Sequence, residues 1–435
     1  MADPVTANGA NHGLPAAPGL SPERPLVFKF GGACFLDLAD YRQMAAYIAG
    51  RLDGSRRIIA VVSAMSGTTG TLQNAQRQLN ADPPAELAAS LMLTADSVSA
   101  VLLATALHDL GVNARSIDAH DFGLTAAGAP DRASVVKIDP APLWSVLVSS
   151  EVVVVPGGQA LDENGRAVML GRNSSDLSAV AAAVALNAER CEIFSDVPGV
   201  FTADPYLLPT ARVIPELGYG AARLMTRAGA KVLHPNAVDL ADRHGLPILC
   251  RSRPPAAAQG TLISGSSAPV AIVADQRTDV WSFTHAADLE HVLARLAKEH
   301  DGDQVNEPVI VDYEGTRHLA IPGGDPHGTA HRVCANVPHR PHLRLITTVH
   351  GAHDPEYHLV PVSELAEETR RRHTLHYPET NDHRGEKPRS PLSGMLTEPA
   401  KAPIAGGDLL IKAQPAEEAA DVMEDADVKE ETTAI

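Results

Sequence analysis

The chain has 435 residues, of which 44% are hydrophobic and only 4% aromatic, and its formal net charge is −17. This length predicts two domains, or one large domain with additions. The scarcity of aromatic residues suits α/β layers packed from small and branched side chains. The acidic charge argues against general nucleic-acid binding. Residues 415–435 supply eight acids against one lysine, so the rest of the chain is only mildly acidic.

The cysteines and the N-terminus indicate a cytoplasmic protein without a membrane partner. Residues 1–25 have neither the basic nor the apolar segment of a secretory signal. We also expect no segment that stays apolar over the about 20 residues of a membrane span. Four cysteines are far apart and form no CxxC pair, which favours a reducing compartment. They are Cys34, Cys191, Cys250 and Cys334.

The first 265 residues predict an α/β fold with a mostly parallel sheet. Residues 1–24 are rich in Pro, Gly, Ala and Asn and predict a disordered leader. Apolar runs then predict strands at 26–30, 57–63, 152–155, 191–195 and 247–251, and helical spacing predicts helices at 86–110 and 177–186. Glycine-rich and polar turns follow the strands, as in parallel α/β sheets. Ligands of such sheets bind beyond the carboxyl ends of the strands.

A smaller α+β unit is predicted after residue 265. Residues 270–283 predict one or two strands, and residues 286–298 predict an amphipathic helix. Two further runs, 308–313 and 317–321, predict a hairpin with its turn at Glu314-Gly315. From about residue 351 hydrophobic periodicity is lost, so we expect a linker and a low-complexity acidic tail that the folded part does not need.

Lys29 stands at the end of the first predicted strand, directly before Gly31 and Gly32. Glycines let backbone N–H groups approach a phosphate closely, and a nearby ammonium adds positive charge. The pattern alone fits a phosphate loop and, equally, a strand end with a tight turn and a solvated lysine.

A second group of polar residues opens the helix predicted at 177–186. Ser175 and Asp176 can cap its first turn, where free N–H groups favour an anion. Arg172 can clamp a carboxylate through two parallel hydrogen bonds. The alternative is an ordinary helix cap beside an exposed arginine.

Turn residues and a second lysine complete the set of candidates. Asp196 and Asp204 follow the strand predicted at 191–195 and can hold a nucleotide or its metal, or simply form turns. Lys231 comes shortly after Gly229. For each of these segments taken alone, the structural interpretation is the simpler one.

Taken in order, these segments resemble the motifs of the aspartokinases. The matching motifs are Lys29-Phe30-Gly31-Gly32, Ser63-Ala64-Met65-Ser66-Gly67, the run from Gly171-Arg172 to Ser175-Asp176, the run from Asp196 to Pro205, and the run from Lys231 to Pro235. The resemblance covers roughly residues 25–265, and Gly260-Thr261-Leu262-Ile263 resembles the close of the kinase domain. Several ordered motifs are far more specific than one glycine-rich loop.

The resemblance implies a three-layer αβα sandwich of the amino acid kinase type over residues 25–265. It implies a degenerate ACT-like regulatory region at 266–350, with at most one such unit, before the acidic tail at 351–435. It also implies ATP and Mg²⁺ as partners of the reaction, an amino-acid substrate, and a homo-oligomer. The expected product is β-aspartyl phosphate, made by ATP-dependent phosphorylation of the side-chain carboxylate of aspartate.

Site roles follow from the same resemblance, position by position. The implied catalytic residues are Lys29 and Asp176. The implied substrate-binding residues are Ser63, Ala64, Thr69, Asp96, Arg172 and Ser175. The implied nucleotide-binding residues are Lys29, Gly31, Gly32, Ser195, Asp196, Phe201, Asp204 and Lys231. No metal held by the protein alone is expected, because the histidines after residue 285 lack zinc-site spacing and are interpreted as solvated.

Several positions depart from the family pattern. Ala33-Cys34 stands where the family has Thr-Ser, Asn173-Ser174 replaces two glycines, and Tyr206 replaces an arginine. Asp96 stands in place of a glutamate that binds the substrate amino group, so its carboxylate is one methylene shorter. Three functions are therefore weighed: an aspartate kinase, a diverged kinase acting on another carboxylate, and a non-catalytic binding paralogue.

Overall fold

A computed structural model describes residues 24–171, 173–254, 260–299, 307–325, 328–351 and 354–378. The leader predicted at 1–24 therefore lies outside the described residues except for Arg24, and so does the chain after residue 378.

The first part of the chain alternates strands and helices. In chain order they are β1 (Leu26–Phe30), α1 (Leu38–Ala49), β2 (Ile58–Val62), α2 (Thr68–Leu79), α3 (Ala85–Asp109), β3 (Ala114–Ser116), α4 (Ala119–Phe122), β4 (Leu124–Ala127), β5 (Ser134–Ile138), α5 (Pro140–Leu147), β6 (Val152–Pro156), β7 (Gln159–Leu161), β8 (Ala167–Met169), α6 (Ser175–Ala185), β9 (Cys191–Ser195), β10 (Glu216–Leu217), α7 (Tyr219–Arg227), α8 (Pro235–His244), β11 (Ile248–Ser252) and β12 (Gly260–Ile263). The strands and helices predicted in this part are confirmed to within two residues.

Eight of these strands form one sheet in the order β10-β12-β11-β9-β1-β2-β6-β3. The pairs around β1 are parallel, and β11 with β12 is antiparallel. Strands β4, β5, β7 and β8 form a separate sheet. Strand β1 has β2 on one side and β9 on the other. An open α/β sheet forms a crevice at the carboxyl end of a strand whose neighbours lie on opposite sides in this way.

Alternate residues of the central strands enter two different hydrophobic cores, one on each face of the sheet. Phe28, Ala60 and Val154 pack with α1 and α3, whereas Val27 and Ile59 pack with α6 and α8. Strands that are buried on both faces have continuous apolar sequences. This burial explains why four of the five residues of β6 are valine. The predicted three-layer α/β sandwich is confirmed.

Helix α3 corrects the expectation that no segment is long and apolar enough to span a membrane. Its 25 residues pass that test by length and composition. In the structure α3 packs on β6 and beside α1, and it buries Leu103 and Leu107 in the core. It is therefore a core helix of the sandwich.

The remaining elements build two small antiparallel sheets. They are β13 (Val270–Asp275), β14 (Asp279–Phe283), α9 (Ala286–Glu299), β15 (Val309–Tyr313), β16 (Thr316–Ile321), α10 (Thr329–Val333), β17 (Leu343–His350), β18 (Glu356–Pro361) and α11 (Leu365–His376). One sheet has the order β14-β16-β15 and the other β13-β17-β18. The predicted hairpin is confirmed, with Glu314 and Gly315 at positive φ in its turn.

The chain forms two small sheets after residue 265, with the segment from β14 to α10 inserted between β13 and its partner β17. The expected loss of structure from residue 351 is wrong at its start, because regular structure continues past that residue as β18 and α11. Helix α11 was missed because its exposed face is rich in Arg, His and Glu, and few apolar residues mark its buried side.

Helix α11 is tied to the rest of the protein by buried contacts. Leu365 packs with Ile272 and Ile346. His373 Nε2 lies 2.8 Å from Thr202 Oγ1, and Tyr377 donates a hydrogen bond of 2.7 Å to the carbonyl of Val270. The segment 354–378 is therefore part of the folded body and not of the tail.

We predict that ending the chain after Gly351 destabilises the protein, because the truncation leaves β17 without β18 and exposes the apolar cluster under α11. The control is a chain that ends after Pro378 and keeps all of these contacts. Thermal unfolding followed by circular dichroism should show a lower melting temperature, or insolubility, for the shorter chain only. Equal melting temperatures for the two truncations would contradict this assignment.

Candidate active site

The candidate residues gather at the carboxyl edge of the large sheet. Lys29 lies one residue before the end of β1 and pairs in register with Val61 of β2 and Ile193 of β9. The loops that follow these three strands therefore surround its side chain, as expected for parallel neighbours.

Lys29 and Asp176 form an ion pair with Nζ to Oδ1 at 2.7 Å, and their side chains are only 12% and 11% exposed. Burial by itself lowers the pKa of Lys29, but the charge of Asp176 and its hydrogen bond outweigh burial and raise that pKa. The ammonium is therefore charged at neutral pH. Asp176 also accepts a hydrogen bond of 3.2 Å from the backbone N–H of His234 through Oδ2. Although Asp176 was expected to cap α6, its side chain is used to hold Lys29.

The glycines after Lys29 are required by close approach of other groups. A Cβ on Gly31 would lie 3.2 Å from Lys29 Nζ, and a Cβ on Gly32 would lie 3.0 Å from the carbonyl oxygen of Ala64. Side chains at these positions would crowd the space beside the ammonium. The N–H of Gly31 donates to the carbonyl of Phe194 at 3.2 Å, so Gly31 lines the space beside Lys29 but its N–H is already used.

The start of α6 is joined to the loop after β2 by side chains. Ser63 Oγ and Ser175 Oγ lie 2.8 Å apart. Gly157, directly after β6, allows this approach, because a Cβ there would lie 2.4 Å from that of Ser175. The N–H of Gly158 donates to Ser178 Oγ at 2.9 Å. Gly157 and Ser178 were not among the sequence candidates; the break after the valine run was the available signal for the glycine.

Asp96, on α3, reaches the same loop. Its Oδ1 accepts a hydrogen bond of 2.7 Å from the N–H of Ala64. Burial raises the pKa of Asp96 to about 7, although the Ala64 N–H and Lys29 act in the opposite direction. Perturbed carboxyl groups of this kind are common at functional sites. Asp96 is therefore half-buried on the side of α3 that contacts this loop.

The acidic loop after β9 lies on the other side of Lys29. Ser195 donates to the carbonyl of Val197 at 3.1 Å. Exposed Asp196 accepts a hydrogen bond of 3.0 Å from the hydroxyl of Tyr206, and Asp204 accepts one from the Tyr206 N–H. Burial and the charge of Asp196 raise the pKa of Tyr206 to about 12. Tyr206 therefore replaces an expected cation with a neutral donor that holds Asp196.

Phe201 is the candidate that the geometry separates from the site. It is 6% exposed and packs in an apolar cluster with Ile272 and Ile346 of the sheet that contains β13. Neighbouring Ala203 makes a bridge to Ile272. This placement does not support direct contact between Phe201 and a nucleotide.

Three further candidates are placed less directly. Thr69 is half-buried in the first turn of α2, which follows the Ser63 loop. Lys231 is exposed in the loop between α7 and α8, three residues before the His234 N–H that contacts Asp176. Arg172 lies outside the described residues.

Two departures from the family pattern have simple structural accounts. Asn173 has a φ of 61°, the left-handed conformation that favours glycine and that asparagine tolerates better than most residues. Cys34 is fully buried, with Sγ 3.5 Å from the carbonyl of Phe194, so it faces the core. Burial raises the pKa of the Cys34 thiol to about 12.

Comparison with known proteins shows the family of this chain. The sequence model of the amino acid kinase family matches residues 24–252, more than half of the chain. The chain belongs to the amino acid kinase family. Among curated family members, an aspartokinase of Thermus thermophilus is 37% identical over 227 residues, covering 52% of this chain and 56% of that protein. The aspartokinase of Mycolicibacterium smegmatis is 35% identical over 246 residues, covering 55% and 57%.

Solved amino acid kinases share the fold over a longer stretch. Escherichia coli aspartokinase III, in complex with aspartate and ADP, aligns with a TM-score of 0.62 and 22% identity over 79% of this chain and 98% of that one. Clostridium acetobutylicum aspartate kinase aligns with a TM-score of 0.55 and 16% identity over 81% and 100%. In sequence, the chain spans just over half the length of the curated relatives it matches.

We predict that Asp96→Asn changes how stability depends on pH. The pKa of Asp96 is about 7 when folded, against 3.8 for the ordinary group, so the folded state holds this proton more tightly. The protonated Asp96 carboxyl makes its full contribution to the free energy of unfolding below about pH 4. That contribution is lost as the pH rises from there through 7. Asparagine can still accept from the Ala64 N–H without ever ionising.

The melting temperature of Asp96→Asn, relative to wild type, should therefore rise between pH 5 and pH 8. Asp82→Asn, in the exposed loop before α3, is the matched control and should run parallel to wild type. If Asp96→Asn also runs parallel to wild type, the raised pKa of Asp96 is wrong.

Proposed function

We propose that this protein is an aspartate kinase, which transfers the γ-phosphoryl group of ATP to the side-chain carboxylate of aspartate and forms β-aspartyl phosphate. The observation that carries the proposal is the buried Lys29–Asp176 ion pair beside the Gly31-Gly32 loop. The names of its curated relatives, which are aspartokinases, support the choice of reaction.

The proposed reaction needs no covalent enzyme intermediate. A carboxylate oxygen of the substrate attacks the γ-phosphorus in line, and the bond to the bridging oxygen of ADP breaks. Both reactants are anions, so the enzyme must align them and offset their repulsion. Lys29 is suited to this because Asp176 holds its ammonium in one place and keeps it charged. Asp176 itself then acts by positioning Lys29.

The loop after β2 and Asp96 would bind the amino acid. Ser63 and Ala64 lie at the end of β2, within hydrogen-bond distance of Ser175 and Asp96 respectively. An incoming α-ammonium group would favour the ionised form of Asp96, which otherwise gains a proton near neutrality. Arg172 and Thr69 complete the proposed pocket, with Arg172 for the α-carboxylate.

The opposite side would bind the nucleotide. The backbone N–H of Gly32 would contact a phosphate oxygen, Gly31 would leave room for the phosphate beside Lys29, and exposed Lys231 would add charge. Ser195, Asp196 and Asp204 would line the remainder. Mg²⁺ typically binds through phosphates and one or two carboxylates, and exposed Asp196 and half-buried Asp204 provide oxygen atoms of that kind. When bound, Mg²⁺ would offset phosphate charge.

Further proposals concern the whole molecule. We place the kinase domain at residues 25–265, and we assign a regulatory role to the two small sheets that follow it. We also propose a homo-oligomer in the cytoplasm. Cross-linking and sedimentation of the full chain test the assembly.

We predict that Lys29→Ala lowers turnover by about 100- to 1,000-fold, the usual effect of losing one preorganised charge from a phosphoryl-transfer site. The assay uses Mg-ATP, hydroxylamine and aspartate, and measures acyl hydroxamate. Lys137→Ala is the matched control, because Lys137 is an exposed lysine on β5 paired with Asp139. Circular dichroism checks that both variants are folded. Normal turnover by folded Lys29→Ala would overturn the proposed function.

The same assay with a panel of amino acids identifies the substrate. Product from aspartate alone supports the proposal, product only from another acid identifies a diverged kinase, and no product from any acid indicates a binding paralogue.

We predict that Asp96→Glu lowers the KM for aspartate with little change in kcat. The longer side chain brings the carboxylate nearer to the substrate amino group, and a charge-assisted hydrogen bond contributes roughly 1.5–3 kcal/mol. Initial rates against aspartate concentration at saturating Mg-ATP measure both constants. An unchanged KM would separate Asp96 from the amino-group site.

A further inference from the structure

Three potential metal ligands from separate segments meet at one end of the sheet β14-β16-β15. Asp279 begins β14, His331 lies on α10, and His339 lies in the segment before β17. One ligand atom from each lies within 4.8 Å of those of the other two. Their sequence spacing resembles no zinc pattern, because the folded chain rather than a local motif brings them together.

The backbone holds His339 directly beside β14. His339 makes a bridge with Trp281 of β14. On either side of it, the N–H of Ser282 donates to the carbonyl of Pro338 at 3.0 Å, and the N–H of Arg340 donates to the carbonyl of Val280 at 2.7 Å. His339 Nε2 lies 3.2 Å from Asp279 Oδ1.

Asp325 orients the other histidine. Its Oδ2 accepts from the backbone N–H of His331 at 2.8 Å and lies 2.9 Å from His331 Nδ1. The N–H of Asp325 in turn donates to Asp279 Oδ2 at 3.0 Å. A carboxylate on one ring nitrogen leaves the other as the ligand, the usual arrangement around metal-bound histidines.

Asp325 is also an unusual residue to bury. Its side chain is fully buried, and Oδ1 has no hydrogen-bond partner among the described residues. A buried carboxylate oxygen without a partner is costly unless a positive charge lies nearby. A cation at the neighbouring imidazole would provide that charge.

An aromatic contact keeps the two histidine rings together. The ring of Trp281, which is 1% exposed, lies 5.1 Å from each of His331 and His339, and the two imidazoles are 5.2 Å apart. The two ligand rings therefore rest on one buried indole, and their positions are restrained before any ion arrives.

We propose that Asp279, His331 and His339 bind a divalent transition-metal ion of the zinc class, with Asp325 as the residue that orients His331. Two imidazoles and a carboxylate suit Zn²⁺, Co²⁺ or Ni²⁺ better than Mg²⁺ or Ca²⁺, which prefer oxygen alone. Ligand atoms about 2.1 Å from a tetrahedral ion are about 3.4 Å apart. Small rotations of the partly exposed histidine side chains would bring the ligand atoms from their present separations, which are within 4.8 Å, to that distance. The ion would fasten α10 and the His339 segment to β14, separately from the kinase site.

The test uses the full chain, freed of metal with a chelator and then titrated with Co²⁺. Wild type should bind one ion at this site and show the visible absorption of cobalt with nitrogen and oxygen ligands. Its melting temperature should rise with added Zn²⁺. His339→Asn and Asp279→Asn should each lose the absorption and the thermal shift. Asp325→Asn should weaken binding about 10- to 100-fold.

His291→Asn is the matched control, because His291 is an exposed histidine on α9 of the same unit. The His291→Asn variant should show the same Co²⁺ absorption and the same thermal shift as wild type. This result would distinguish binding at the proposed site from binding at other histidines of the chain. Asp279→Asn retains an acceptor for the Asp325 N–H, so it tests binding even if a histidine variant fails to fold. Unchanged Co²⁺ absorption in folded Asp279→Asn, or no binding by wild type, would overturn the proposal.

Discussion

The buried ion pair between Lys29 and Asp176 is the interaction on which the rest of the site depends. An isolated ammonium at that depth would tend to lose its proton, and an isolated carboxylate would tend to gain one. Each charge therefore requires the other, and the pair joins β1 to α6 across the sheet edge. Breaking such a pair is strongly destabilising because it leaves one buried charge uncompensated. The surrounding loops have conformations that leave room for this pair.

Backbone conformation and burial account for two of the departures from the family pattern. Asn173 keeps the left-handed backbone that a glycine would adopt, and Cys34 turns into the core. Asp96 differs, because it remains in the site and is hydrogen bonded to Ala64. Within the proposed function, the departure at Asp96 is therefore the one that would bear most directly on substrate choice.

The small C-terminal sheets contact two loops that carry candidate nucleotide-binding residues. A Cβ on Gly229, two residues before Lys231, would lie 2.6 Å from the carboxyl carbon of Asp275. Arg277 donates to the carbonyl of Gly229 at 2.9 Å. On the other side, the N–H of Ile272 donates to the carbonyl of Thr202 in the acidic loop. A shift of β13 would therefore move two loops of the proposed nucleotide site, which gives the small sheets a physical route to influence it.

The sequence alone determined the elements whose signal is local. Apolar runs such as 152–155, glycine breaks and the order of the motifs were enough to predict the α/β sandwich and the candidate residues that the structure brings to one sheet edge. Long-range packing decided the rest. The insertion of β14 to α10 between β13 and β17, the burial of Phe201, and the meeting of Asp279 with His331 and His339 each join segments far apart in the chain. Such contacts leave no periodic pattern, because each residue is selected by a neighbour that only the folded chain supplies.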